Sequence, residues 1–338
     1  AMAIAANISS KEQLEALVAQ TRAAWGPIDI LVCNFNTKHL IQEMKDAVEA
    51  SVDKPVTRYL IVDNASTDGS ATYIQEQHPD MRLIANQVNV GFGRANNQLL
   101  PWVQSDYVLL LNTDAFVDPY CLRKTVDFMG AHPDCGVLGV RLRSRDGSLQ
   151  PSCRYFPTPL NIFLTRSGLH RWLPWVRLVD DMSWPHDQVR ECDWVPGCYY
   201  LVRRAVLDQV GLFDPRFFLY YEEVDHCKRV KQAGWKVYFY AHANTIHIGG
   251  ESAKSAGSIE NAGRQLSSLQ IESELLYMRK HHGLSGLVAH LTLTLAYEVL
   301  SAAKSLVKGR NRQSSIRAKM QPIWRICQAT AWGTAPTR

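Results

Sequence analysis

The chain of 338 residues is 46% hydrophobic and 20% charged, with 20 glycines and 15 prolines. Those proportions exclude a disordered, collagen-like or low-complexity polymer. The length accommodates one large α/β domain with additions, or two domains. Lys and Arg number 37 against 32 Asp and Glu, a net +5; such a modest excess points to nucleic acid only where it clusters, and no nucleic-acid partner is expected.

The first 26 residues read as an N-terminal helical extension. Ser9 and Glu12 stand at capping-box spacing ahead of a short amphipathic helix, and no apolar signal-peptide core precedes it. Eight cysteines, at 33, 121, 135, 153, 192, 198, 227 and 327, include no Cys-x-x-Cys pair. That argues against a zinc ribbon or a thioredoxin motif, and the thiols read as buried and reduced in a cytoplasmic protein.

From Ile28 onward strand and helix alternate. The apolar runs Ile30–Cys33, Tyr59–Val62, Leu83–Ala85 and Tyr107–Leu111 are separated by helical stretches. Short runs of this kind predict parallel strands covered on both faces, in a mostly parallel doubly wound α/β sheet. Each run ends in Asp or Asn: Asn34 and Asn36, Asp63 and Asn64, Asn86 and Asn89, Asn112 and Asp114. Ligands of open parallel sheets bind beyond the carboxyl ends of the strands, so these residues define a candidate polar site. Turn and cap formation is the competing reading. It is favoured for Asn64, Ser66 and Asp68, and a ligand role for Asp63 and Asp114.

Further along, Gly136–Phe156 reads as a hairpin around Asp146-Gly147. Residues 160–190 are irregular and rich in Trp and Arg (Trp172, Trp175, Arg171, Arg177), which suits either a sugar- or phosphate-contacting surface or loop packing. A strand over Trp194–Val202 leads to the segment Phe213–Cys227. A helix predicted from about Glu222 to Ala233 stops at Gly234. Its first turn carries Glu222, Glu223 and Asp225, which the helix dipole favours as ionised groups. Asp225 is open to a catalytic role or to an i,i+4 ion pair with Arg229. A last strand, Trp235–Tyr240, precedes His247, whose place between two isoleucines reads by itself as structural.

Five segments, in this order, resemble bacterial glycosyltransferases of family 2, which have the GT-A fold. They are Val62–Ser70, Asn89–Asn97, Leu110–Asp114, Gly211–Asp225 and His247–Gly250. The rhamnosyltransferases of O-antigen and cell-wall polysaccharide assembly are the most similar subgroup. The resemblance implies a GT-A domain over residues 27–255. Its nucleotide-sugar half would be 27–135, its acceptor and catalytic half 136–255, and C-terminal helices would follow over 256–338. It implies a nucleotide-sugar pocket on Asn34, Asn36, Asp63, Asn64, Arg94, Asn97, Asn112, Thr113 and Asp114, with Asp63 on the nucleobase. It also implies a divalent cation, Mg2+ or Mn2+, on Asp114 and His247, and a catalytic base at Glu223. Two departures are visible. Asn112 stands where the family's Asp-x-Asp motif has its first acid, and the base is Glu where Asp is usual, so Glu222 or Asp225 could share the role.

The chemistry asks for such residues independently. A hard cation with oxygen ligands neutralises a leaving diphosphate, and one carboxylate on the opposite face deprotonates the attacking hydroxyl, giving inversion. The expected reaction is transfer of a sugar, L-rhamnose from dTDP-L-rhamnose, to a glycan or lipid-linked saccharide. A UDP-sugar donor (galactofuranose or N-acetylglucosamine) and a non-catalytic nucleotide-sugar-binding module are the alternatives. A dinucleotide oxidoreductase is excluded: Gly91-Phe92-Gly93 follows the third strand, and Asn96 replaces the motif's last glycine. Finally, the apolar helix over 284–307, followed by the basic Lys308–Arg312 and by Arg317 and Lys319, is a candidate for peripheral contact of 284–319 with the inner face of the cytoplasmic membrane.

Overall fold

The computed structural model describes residues 10, 27–173, 175–249, 259–307 and 316–338. The expected helix after Ser9, the stretch 250–252 and the basic Lys308–Arg312 lie outside these residues.

Three β-α units build the first half: β1 (Ile28–Asn34), α1 (Lys38–Glu49), β2 (Thr57–Asp63), α2 (Ser70–Gln77), β3 (Arg82–Ala85) and α3 (Phe92–Leu99). β4 (Tyr107–Leu111) and the short β5 (Ala115–Val117) follow, then α4 (Cys121–Ala131) and the long β6 (Cys135–Arg143). The chain continues through β7 (Leu149–Gln150), α5 (Pro159–Ser167), β8 (Arg190–Cys192), β9 (Tyr199–Arg203), α6 (Arg204–Val210), α7 (Glu222–Gln232) and β10 (Lys236–His247). α8 (Ile259–Val307) and α9 (Ile316–Ala329) complete it.

The strands form one sheet in the order β3-β2-β1-β4-β9-β6-β10-β5, with β7 on β6 and β8 on β10. β3, β2, β1 and β4 are parallel, as the apolar runs predict. The second half is mixed: β9 runs antiparallel to β4 and β6, while β10 is parallel to β6 and antiparallel to β5. Alternation along each inner strand feeds two cores. Leu31, Val62, Leu110 and Tyr200 pack beneath α3, α6, α7 and α8, whereas Ile30, Ile61, Leu109 and Leu201 pack beneath α1, α2 and α4. On α1, Leu40, Ile41, Met44 and Val48 form the buried stripe that helical spacing requires.

Three local differences from the sequence reading have simple causes. The hairpin closes around Gly147 (φ +83°), but its second strand is only Leu149–Gln150 because Pro151 has no N–H to continue the ladder. The strand expected from Trp194 starts at Tyr199, since Pro196 and Gly197 interrupt it. β10 runs past Tyr240 to His247 by way of a register shift between Tyr240 and Asn244. The C-terminal helical hairpin breaks at Gly283 (φ +68°), between the two helical stretches expected. All eight cysteines are free thiols.

The chain passes from β1 outward to β3 and returns to the other side of β1 as β4. The crevice at such a switch point, above the carboxyl ends of β1 and β4, is where a doubly wound sheet binds its ligand.

Candidate active site

The ends of β1, β2 and β4 are tied by one polar network. Asn34, at the end of β1, donates from Nδ2 to Asp63 Oδ1 at 2.7 Å and to Ser66 Oγ at 3.1 Å. Its Oδ1 accepts from Thr37 Oγ1 at 2.7 Å, and that hydroxyl lies 2.7 Å from Thr113 Oγ1. Asp63 is buried and accepts from the Ser66 amide through its second oxygen at 3.1 Å. A carboxylate has about four acceptor sites, so Asp63 keeps capacity for a ligand donor. Asn36 takes a positive φ of 53° and braces the facing turn, its Oδ1 accepting from the Thr67 amide at 2.7 Å.

Turn formation accounts for Asn64 and Asp68. The buried Asn64 side chain bonds Asn86, Asn89 and the Val90 amide, knitting the β2 and β3 loops together. Asp68 accepts from the amides that open α1 and α2 at 2.9 and 3.0 Å. Burial raises its pKa, but the bonds from Ser70 and from the Lys38 amide outweigh this and hold it below its usual range.

Beyond β4, the antiparallel pairing of β5 with β10 sets His247 opposite Ala115 and so beside Asp114. Asp114 Oδ2 accepts from the Gly249 amide at 3.0 Å, while Oδ1 lies 3.6 Å from His247 Nε2. Gln150 fixes the imidazole: its Nε2 donates to the His247 carbonyl at 2.8 Å, which turns its Oε1 toward Nδ1 at 2.9 Å. Nδ1 therefore carries the proton and Nε2 presents a lone pair. Burial lowers the His247 pKa against the opposing pull of Asp114, keeping the ring neutral. Two acceptors thus face each other with no proton between them, and this donor set fits a hard divalent cation whose remaining ligands come from phosphate and water. Among the described residues no third His, Cys, Asp or Glu completes a cage.

The first turn of α7 carries the three carboxylates Glu222, Glu223 and Asp225. Tyr220 and Tyr221 both adopt the left-handed conformation (φ 70° and 68°), turning the chain sharply into the helix. Such strain in non-glycine residues clusters at functional sites. His226 anchors the helix: Tyr200 bonds its Nδ1 at 2.7 Å and its Nε2 bonds the Gly211 carbonyl at 2.9 Å. Burial, aided by the nearby Arg229 charge, lowers its pKa to about 3, so it stays neutral. Glu223 is half-buried. Burial raises its pKa, opposed by its own amide, Arg154 and the Val224 amide at the helix start. Glu222 is fully buried with Oε2 unpartnered; burial and the Glu223 charge hold it well above the carboxylate range. Only Asp225 behaves as the dipole alone predicts, because desolvation overrides the helix field at the other two.

Cys198, in the loop before β9, is tied to the end of β4. The Asn112 amide donates to the Cys198 carbonyl at 3.1 Å. The buried thiol is pushed up by desolvation and by the charges of both Asp114 and Glu223.

Other residues of the implied pocket have different partners. Arg94 Nε donates to the Pro215 carbonyl at 2.7 Å and Nη2 to that of Arg338 at 2.9 Å. Asn97 clasps the Phe213 backbone in both directions, at 2.7 and 3.1 Å. Both hold the loop that leads to α7. Asp225 has no exposed surface and accepts from Arg229 Nε at 2.9 Å, His281 Nε2 at 2.7 Å and Lys280 Nζ at 2.5 Å. Burial raises its pKa, but these partners bring it down to about 2. It ties α7 to α8, a structural task that leaves no free edge for an acceptor hydroxyl. Gln150, Lys280 and His281 went unnoticed in the sequence. The hairpin signal marks Gln150 only as a strand residue, and nothing local marks the other two.

The fold is of the GT-A type. The family model described as Glycosyl transferase family 2 matches residues 29–181. The N-acetylglucosaminyl-diphospho-decaprenol L-rhamnosyltransferase of Mycobacterium tuberculosis is 32% identical over 238 residues, covering 65% of this chain and 75% of that protein. Rhamnosyltransferase WbbL of Escherichia coli K12 is 26% identical over 168 residues, covering 46% of this chain and 60% of that protein. Among solved structures, the mannosyltransferase PcManGT from Pyrobaculum calidifontis, in complex with GDP-Man and Mn2+, superposes with a TM-score of 0.53 at 16% identity and covers 94% of this chain and 90% of that one. The chain belongs to glycosyltransferase family 2 and is a glycosyltransferase.

Proposed function

We propose that the protein is a metal-dependent inverting rhamnosyltransferase, moving L-rhamnose from dTDP-L-rhamnose to a polyprenyl-diphosphate-linked saccharide in bacterial surface polysaccharide synthesis. The sugar and the acceptor class follow the names of its relatives, and the dTDP carrier follows the family resemblance. One observation supports the chemistry: Asp114 Oδ1 lies 3.6 Å from Nε2 of a neutral His247, a pair of acceptors suited to a hard cation.

In this reading Asp63, with Asn34 and Asn36 around it, accepts a hydrogen bond from the nucleobase, and Asn112 and Thr113 line the sugar-phosphate side. Asp114 and His247 hold Mg2+ or Mn2+, which when bound neutralises the charge that develops on the leaving diphosphate. Glu223 accepts the proton of the acceptor hydroxyl as that oxygen attacks the anomeric carbon from the opposite face. Its raised pKa makes it a stronger base than a solvated glutamate. A lipid-linked acceptor would bring the enzyme to the inner face of the cytoplasmic membrane.

The test is nucleotide release by the purified chain from dTDP-L-rhamnose or UDP sugars, with an N-acetylglucosaminyl-diphospho-polyprenol acceptor, in Mn2+ or in chelator. Cation-dependent dTDP release that Glu223→Gln abolishes, with donor affinity retained, supports the reading. Release of UDP alone moves the donor to a UDP sugar. No turnover with any donor makes the chain a binding module.

A further inference from the structure

The second half of α8 is built inside out. Two of its ionisable residues face the protein: His290 pairs with Glu274 at 3.1 Å and Glu298 with Lys319 at 2.9 Å, and both are buried, while Lys304, near the end of the helix, is exposed. Every exposed residue between 284 and 303 is Leu, Val, Ala, Ser or Thr. Leu284, Val288, Leu295 and Val299 fall within about 60° of one another on the helix circumference at 100° per residue, and each is 44–51% exposed. A solvated helix has the opposite pattern, with its charges outward.

Two neighbouring elements extend this face. α5 packs on α8, and Lys304 Nζ bonds the Ser167 carbonyl at 3.1 Å. A few residues on from Ser167, Trp172 and Trp175 stand 78% and 75% exposed. α9, joined to α8 by the Lys319–Glu298 pair, turns Arg317, Trp324 and Arg325 outward and contains no acid. The described residues thus present an uncharged stripe on α8, exposed tryptophans on the loop after α5 and on α9, and the exposed cations Arg317 and Arg325 on a helix that contains no acid.

We infer that this surface of α8, α9 and the Trp172–Trp175 loop lies in the headgroup region of an anionic lipid bilayer, with α8 parallel to the membrane plane. By length and composition alone Ser268–Ser305 is apolar enough to cross a bilayer, although it is broken at Gly283 into two helices. Yet crossing would strip His290 and Glu298 from their partners on Glu274 and α9, whereas the in-plane arrangement keeps those pairs and wets only the uncharged face. Charge decides the occupant. A twofold contact with a second copy would set Arg317 and Arg325 against the same cations, while anionic headgroups complement them. Exposed tryptophans suit the interface, where the ring is half in hydrocarbon and its N–H remains wet. This inference stands apart from the donor and acceptor proposed above.

The experiment is co-sedimentation of the full chain with vesicles of phosphatidylcholine, with or without phosphatidylglycerol. Binding should require the anionic lipid, weaken as salt rises, and blue-shift tryptophan emission. Replacing Leu284, Val288, Leu295 and Val299 together by Ser should lower affinity at least about tenfold. Trp172→Ala with Trp175→Ala, on a separate element, should lower it severalfold with α8 untouched. No binding to anionic vesicles, binding indifferent to both variant sets, or a concentration-dependent dimer that the serine variant dissolves would each overturn the inference. Sugar transfer to a soluble acceptor, measured alongside, reports on the functional reading without affecting the vesicle result.

Discussion

Replacing Asp225 with Asn separates a structural acid from a reacting one. The native carboxyl has a pKa of about 2 against an ordinary 3.8, and about 1.8 units at 1.36 kcal/mol each is about 2 kcal/mol of stability at neutral pH. The folded value is the depressed one. That contribution is complete above about pH 4 and is lost as the pH falls toward 2. Asparagine also strands Arg229 and Lys280 beside a neutral amide, a loss that in buried pairs reaches about 3–5 kcal/mol. The two figures value the same ion pairing and do not add; for about 2–5 kcal/mol at roughly 2–4 °C per kcal/mol, thermal unfolding at pH 7 should drop by about 4–20 °C, and the gap between variant and parent should close toward pH 2. Turnover should fall together with the melting temperature, because the helix that presents Glu223 loosens. An unchanged melting temperature with turnover abolished would refute the reasoning and make Asp225 a reacting group.

Three further outcomes are expected. Glu223→Gln should leave the melting temperature within about 2 °C while lowering kcat by about 10²–10⁴, and the parent's rate should fall as the pH drops through the raised pKa of Glu223, above 4.5; an acid limb at or below 4.5 would count against burial of the base. Asp114→Ala should abolish stabilisation by Mn2+ plus nucleotide in a thermal-shift assay, and a shift equal to the parent's would remove that residue from the cation. Gly91→Ala should cost about 3 kcal/mol or more, read by denaturant titration, because Gly91 has φ +88° and an added Cβ would sit 2.5 Å from the Phe218 carbonyl oxygen; a loss under about 1 kcal/mol would show that the loop readily gives way.

The parallel half of the sheet was legible because its strands are uninterrupted apolar runs, and the site because each run ends in Asp or Asn at the edge where ligands bind. The i,i+4 pair of Asp225 with Arg229 was equally readable. Illegible were the partners far along the chain: Lys280 and His281 lie more than fifty residues beyond Asp225, and Phe213 more than a hundred beyond Asn97. A polar side chain in a motif looks the same whether it meets a ligand or a distant carbonyl, so Arg94 and Asn97 read as nucleotide contacts. The antiparallel β9 eluded its expected start for a related reason: its pairing with β4 and β6 begins only after Pro196-Gly197.

The clasp between α7 and the C-terminal helices bears on how this enzyme can be dissected. A fragment ending near residue 255 would keep the whole sheet, yet it would leave Asp214 and Asp225 without Lys280 and His281, and Leu219 without the Ser273 hydroxyl. Among the described residues, Asp214 would keep only Arg216 and Asp225 only Arg229 as cationic partners beneath the strained tyrosine turn. What resembles a detachable appendage is thus the keystone of the acceptor half, and trimming it for crystallisation or fusion would yield a soluble but idle sheet.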